Sequence, residues 1–544
     1  MHALHSASRS FLTAVALACA IVGAAGCAKR ETPAAEGIRT GTLLVGNTAE
    51  PGDLDPQLAS NLSDQIIVNT LFEGLTLLDE RSTNPIPAAA ESWIVSGEGR
   101  VWTFRLRDGL KWSNGEPLTA ADFVASWRRV LSPEFASDNA SYLFALKNAE
   151  AFNAGKLKNR EQLGFSAPDE RTLVLTLEQP TPYLPALVSM PAWFPINPRA
   201  LAKHGPLEKR GTDWTRAGNL VSNGPFSLTE WTPNARIVLA KNPHHRETAK
   251  NRLQRVIFFP IESADVEEHN FRAGQLHVTA NLPVTKIAGW REKDPTRLRL
   301  EPTLQANFLR FNTTRPPLTD PRIRRALALA IDRAALSKGV LQDSRLPAQA
   351  FTPPGTGGYT ARATVGLDLA EARRLLAEAG HPGGKNMPAI EFQCRNDELS
   401  PRIAEALQAM WQRDLGVRTA ISQMEQKIWI QNQQSLNYGI TTAAWTADFP
   451  DPITFLGLFS ATSGYNWTGW KSAPYDQLLD TAANTADAAK RYEIFQKAEA
   501  FLLNEAPVTP LFFGAHTYLI HPAVKGWGPA PLVFRRFDLV KLEN

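Results

Sequence analysis

The segment Trp445-Thr446-Ala447-Asp448-Phe449-Pro450-Asp451-Pro452 sets one carboxylate, Asp448, among aromatic side chains at the end of a short apolar run. A carboxylate drawn out of water binds a positive group more strongly than one on the surface, so this arrangement is suited to holding a cation. Residues 440–444, small and β-branched, predict a buried strand. Pro450 and Pro452 forbid a helix beyond it, which puts Asp448 where the strand breaks into a turn. The plainer role for an Asp before Pro is an Asx-turn satisfied by its own backbone. Other reactive constellations are weak. There is no Gly-x-Ser-x-Gly elbow, and the adjacent pair His244-His245 lacks the His-Glu-x-x-His pattern of a zinc helix, so it is expected in a solvated loop beyond Pro243. Neither catalysis nor a metal or other cofactor is expected.

The 544 residues, 43% hydrophobic and 21% charged, have the composition of a globular chain long enough for several cores. A net charge of +4, or +3 without residues 1–26, whose only formal charge is Arg9, is too even for a nucleic-acid footprint. Most of the 14 Trp are expected in cores, with a minority lining an adaptable cavity.

The N-terminus reads as an export signal: Arg9 precedes the apolar residues 11–22, too few to span a bilayer. Ala24-Ala25-Gly26-Cys27 resembles the lipobox of bacterial lipoproteins, although Ala24 stands where Leu or Val is commoner, and implies acylation of Cys27 and anchoring to a membrane surface. Residues 28–37 read as a flexible tether. Cys19 leaves with the signal and an acylated Cys27 cannot pair, so Cys394 is expected as a buried small hydrophobe.

Around these features the chain reads as α/β. A strand is expected at 42–46 and a helix at 66–77 with Gly74 as its C-cap. Residues 102–107 alternate as a strand, and Thr119 with Asp122 marks the N-cap of an amphipathic helix over 123–131. Strands follow at 172–177, 226–231 and 237–240. Beyond Pro321, helices are expected at 323–336 and 369–379, the latter stopped by Gly380. Residues 390–394, 403–415 and 417–421 form a strand, helix and strand, the signature of a parallel sheet. A helix at 488–503 and a strand at 508–513 complete the pattern.

Several ordered motifs carry a family likeness: Pro87-Ala88-Ala89-Ala90-Glu91-Ser92-Trp93, then residues 101–107, then Trp112-Ser113-Asn114-Gly115-Glu116-Pro117-Leu118-Thr119-Ala120-Ala121-Asp122-Phe123. Further matches lie at 219–226, 236–243, 320–332 and around Asp448. From about Thr42 to near its end, the chain resembles the bacterial extracellular solute-binding proteins of peptide ABC transporters, family 5.

The resemblance implies a two-lobed, type II-like periplasmic-binding-protein clamp with an extra inserted domain. Residues 38–73, 198–303 and 520–544 would form lobe I, 74–197 the inserted domain and 304–519 lobe II. It implies a monomeric receptor that encloses an extended oligopeptide and delivers it to permease subunits. Backbone hydrogen bonds would supply affinity that ignores side-chain identity. Asp448, flanked by Trp445, matches the family's partner for the peptide α-ammonium. Ala444, Trp445 and Thr446 would offer main-chain groups, Ser60, Asn61 and Leu62 those of the facing lobe, and Asn281 a further cleft contact.

The chain also departs from the family. Basic residues that some members use for the peptide carboxylate are replaced by Thr442, Gln433 and Ser400, and Gln305 and Thr446 occupy the places of a disulfide. Arg310 is a candidate substitute, with a surface salt bridge as its plainer role. Competing functions are a metal-complex or haem receptor of the same fold, an envelope chaperone or sensor, and, more remotely, a peptide hydrolase.

Overall fold

The structure, a computed structural model, describes residues 31–543. Three sheets organise these residues, each over its own core. In the first, the Thr42–Asn47 strand pairs in parallel with Arg255–Pro260, followed by Arg236–Lys241 and Phe226–Thr232 in antiparallel order. Leu43, Val45, Leu239 and Phe258 fill one face together with Phe537 and Val540 from the C-terminal tail. The second sheet is antiparallel, in the order Ala90–Ser96, Val101–Leu106, Thr172–Thr176 and Phe165–Asp169. Its core contains Trp102, Trp112, Trp127 and Trp193, so the expectation of core tryptophans holds here. The Ala120–Leu131 helix beside it starts on the expected capping box of Thr119 and Asp122.

The third sheet runs Thr419–Met424, Ile390–Arg395, Ile440–Thr446, Leu298–Phe311 and Val508–Leu519. Its first two strands are parallel and flank the Ser400–Leu415 helix in sequence, as the strand, helix and strand pattern predicts. The two long strands, Leu298–Phe311 and Val508–Leu519, pair with each other and carry the chain between cores. Leu298 and Leu519 pack with Phe271, Leu282 and Ile287, whereas Phe308, Leu309, Val508 and Leu511 lie in the third core.

Five sequence expectations are corrected. The tether assigned to 28–37 is replaced, over its described part, by a helix, Pro33–Thr40. Thr32 Oγ1 caps it by accepting from Ala35 N, and Gly41 ends it at φ 69°. Ala34 fixes it to the body, donating to Gly274 O and accepting from His277 Nε2. Eight residues show too little apolar period to betray such a helix, and these tertiary contacts decide its state. Cys27 and residues 1–26 lie outside the described residues.

The helix expected at 66–77 spans Leu62–Leu71, and Phe72 leaves it in an extended conformation. Gly74 is no C-cap; a Cβ there would lie 2.3 Å from Val188 O, so glycine permits a close backbone approach. The helix expected at 323–336 divides into Pro321–Leu329 and Arg333–Gly339, because Asp332 caps the second by accepting from Ala335 N. His245 is buried rather than solvated, with Nε2 3.3 Å from Glu73 Oε2. A one-turn helix, Ile453–Leu456, does follow Pro452, which tolerates the N-cap position because no intrahelical N–H is needed there.

Candidate functional site

The Ile440–Thr446 strand has one satisfied edge and one largely free edge. It pairs with Leu298–Phe311 along its whole length, from Phe311↔Ile440 to Gln305↔Thr446. Asn312 N donates to Gly439 O and Ala447 N to Leu304 O, so odd-numbered residues of this strand face that partner in hydrogen-bonded pairs. Ala444 and Thr446 therefore turn their N–H and C=O groups to the opposite edge. There the Ile390–Arg395 strand pairs only at Phe392↔Ile440 and Gln393↔Thr441. What remains is a short unpaired sheet edge beside a cavity of about 470 Å³ lined by Thr442, Ala443 and Ala444.

Asp448 lies two residues beyond this strand. Its Oδ1 accepts from the Tyr142 hydroxyl and its Oδ2 from Thr454 Oγ1, each at 3.2 Å, while its own N–H donates to Thr454 Oγ1. The carboxylate thus meets two hydroxyls rather than the backbone N–H of an Asx-turn. Burial pushes its pKa above the usual carboxylate range, and no cation offsets that cost among the described residues. The surrounding void is about 40 Å³, lined by Ala59, Tyr142 and Phe449 among others, room for a group the size of an ammonium.

The aromatic neighbours divide their work. Phe449 stacks on Tyr183 at 5.1 Å, and Trp445 meets Tyr465 edge to face at 4.9 Å with its indole N–H buried and without a partner among the described residues. Asp451 anchors the turn: its carboxylate makes a buried bidentate pair with Arg491 at 2.6 and 2.8 Å.

Ser60, Asn61 and Leu62 are exposed at the start of the Leu62–Leu71 helix, where Asn61 is the N-cap residue but its side chain makes no capping bond. Leu62 and Asn281 line a second cavity of about 260 Å³. The backbone at Asn281 is pinned: Glu267 accepts from Ala280 N and Asn281 N, and His516 Nε2 donates to Ala280 O. Burial raises the Glu267 pKa to about 7 and lowers that of His516 to about 4.

The departures from the family pattern are also placed. Gln433 is fully buried and accepts from Arg310 Nη1 at 2.6 Å, Ser400 Oγ donates to Asp397, and Thr442 lines the larger cavity. Arg310 makes no surface salt bridge, contrary to the plainer expectation. It is 3% exposed and stacked under Trp467 at 4.8 Å, and burial lowers its pKa to about 10. Gln305 Nε2 donates to Thr446 Oγ1 at 2.9 Å across the strands. Cys394 is a free, buried thiol pushed up to about 11.

Tyr142, Thr454 and Glu267 escaped the sequence reading. Only Thr454 is near enough in sequence to have been sought, six residues after Asp448.

The family model for the middle of the bacterial extracellular solute-binding proteins, family 5, matches residues 84–467. The probable deoxycholate-binding periplasmic protein YgiS of Escherichia coli is 35% identical over 490 residues, 88% of this chain and 89% of that protein. The periplasmic oligopeptide-binding protein OppA of Salmonella typhimurium is 32% identical over 538 residues, 96% and 97% of the two chains. The unliganded open form of MppA, a periplasmic murein tripeptide-binding protein, superposes with a TM-score of 0.82 at 31% identity, over 92% of this chain and 97% of that one.

Proposed function

Because the chain belongs to family 5 of the bacterial extracellular solute-binding proteins, we propose that it is the receptor of an ABC importer, capturing oligopeptides in extended form between two lobes. Asp448 carries this reading: a desolvated carboxylate with no cation beside it among the described residues, at the end of an unpaired strand edge, fits the ammonium of a peptide that adds as a strand. Ala444 and Thr446 supply main-chain partners, with Trp445 as a wall. Ser60, Asn61, Leu62 and Asn281 form the facing side. A reversed peptide would bury its carboxylate against Asp448, so the pair also sets polarity.

In the same reading, residues 38–73, 198–303 and 520–544 form lobe I, 304–519 lobe II and 74–197 the inserted domain. The receptor is a monomer in the cell envelope, held at the membrane by acylated Cys27, and performs no catalysis. Among the described residues no helix is long and apolar enough to cross a membrane. Mass spectrometry of the mature protein is expected to find diacylglycerol on Cys27; an unmodified terminus at Ala28 or later would reject the anchor.

Calorimetry with a mixed pool of free and N-acetylated peptides tests the central reading, with nickel, haem and deoxycholate as competing ligands. Preferential binding of free-amine peptides is expected. Binding of a competing ligand with no response to peptides would reject it.

A further inference from the structure

The cavity beside the unpaired edge and the cavity that holds Leu62 and Asn281 share Arg345 in their walls. Among the described residues only Gln305 and Arg345 line both the 470 Å³ cavity and the 260 Å³ cavity that holds Leu62 and Asn281. The other guanidinium groups at these walls already have acids: Arg395 pairs with Asp397 at 2.5 Å, and Arg535 with Glu301 at 2.5 Å. Arg345 has none within ion-pair distance among the described residues. Its Nη1 donates to Ser344 O at 3.3 Å and Thr517 Oγ1 at 3.2 Å, while Nε and Nη2 make no hydrogen bond to the described protein. A guanidinium with that side of its fork unused can take both oxygens of one carboxylate.

The group is held in place by the frame behind it. Leu346 O accepts from Phe513 N, and Ala348 N donates to Leu511 O, which fastens this segment to the Val508–Leu519 strand. Meanwhile the positions that the family resemblance marks for the peptide carboxylate carry Thr442, Gln433 and Ser400, none of them basic. Gln433 is engaged with Arg310 and Ser400 with Asp397. On the wall of the larger cavity Arg395 and Asp397 neutralise each other, which leaves Arg345 as the guanidinium there with no acid of its own among the described residues.

We infer that Arg345 receives the C-terminal carboxylate of the bound peptide, as the counterpart of Asp448 at the amino end. The assignment rests on the peptide reading above and adds the end of the ligand at which this chain departs from its relatives. Burial of an otherwise uncompensated guanidinium, which lowers its pKa, agrees with a site that gains its counter-charge from the ligand.

The test is calorimetry on the mature protein with peptides of three to five residues, each as free acid and as C-terminal amide, against wild type, Arg345→Gln and Arg345→Lys. Arg345→Gln is expected to weaken the free acids roughly tenfold to a hundredfold, the range of a hydrogen bond to a charged group. It should leave the amides unchanged, and Arg345→Lys should restore part of the loss. The amides report any general damage to the cleft. Equal losses for acid and amide, or no loss for the acid, overturn the assignment while the peptide reading stands. A wild type that binds neither form overturns both.

Discussion

The Tyr142 hydroxyl donates to Asp448 Oδ1 at 3.2 Å, joining two residues 306 positions apart in the sequence. One belongs to the helical cover of the second sheet, the other to the turn after a strand of the third. The carboxylate that carries the proposed function therefore lies between two separately built cores.

Replacing Asp448 by Asn preserves its size and removes its charge. Losing one member of a buried pair costs about 3–5 kcal/mol, because the partner is left uncompensated. Affinity for a free peptide is expected to fall more than about a hundredfold. An N-acetylated peptide should bind weakly and be nearly indifferent to the change. Equal losses for both peptides by calorimetry would reduce Asp448 to a residue holding its own turn.

The same carboxylate sets a pH dependence. Its pKa in the free receptor is raised by burial, and a bound ammonium would favour the ionised form and lower it. Affinity for free-amine peptides should thus be full above the raised pKa and decline as pH falls through it. The decline should begin at higher pH than an exposed aspartate would give. Calorimetry across mildly acid pH checks this, with an acetylated peptide and Asp448→Asn as flat references.

Glu73 makes a separate prediction about stability. It accepts from Arg246 Nε and Nη2 and meets His245, and these partners outweigh its burial and hold its pKa at about 2. A depressed pKa contributes stability that is present above the unfolded value, near 4.5, and lost as pH falls toward 2. Glu73→Gln should therefore destabilise by about 3–5 kcal/mol at neutral pH. The difference should shrink in acid. A pH-independent difference in denaturant midpoints would contradict the assignment.

Closure is expected on binding, since the structure superposes on an unliganded open form and its cores are joined by the Leu298–Phe311 and Val508–Leu519 strands. Small-angle scattering should show a smaller radius of gyration with saturating peptide. An unchanged radius would argue against a clamp.

Much of this architecture was legible in local patterns. Alternation at 102–107, the capping box at Thr119 and the strand, helix and strand run after Ile390 each appear in the structure. Those signals are local and act within a few residues. The errors arose where distant groups decide. Glu73 turns an apparent surface histidine, His245, inward, and His277 fixes a helix at Ala34 that composition alone made a tether. The site divides in the same way. Asp448 announces itself by its neighbours in sequence, but which edge of its strand is unpaired depends on where the Ile390–Arg395 strand stops pairing, and no spacing reveals that.

That unpaired edge bears on what the receptor can refuse. A sheet edge accepts any chain able to lie flat against it, which on an open surface would invite other strands indiscriminately. Here it lies along a walled cavity, so a folded protein, whose own strands are already paired and whose bulk stays outside, has no way to present a backbone. Selection in this receptor would act on the conformational state of the cargo before its composition, admitting chains with free ends and no tertiary structure of their own.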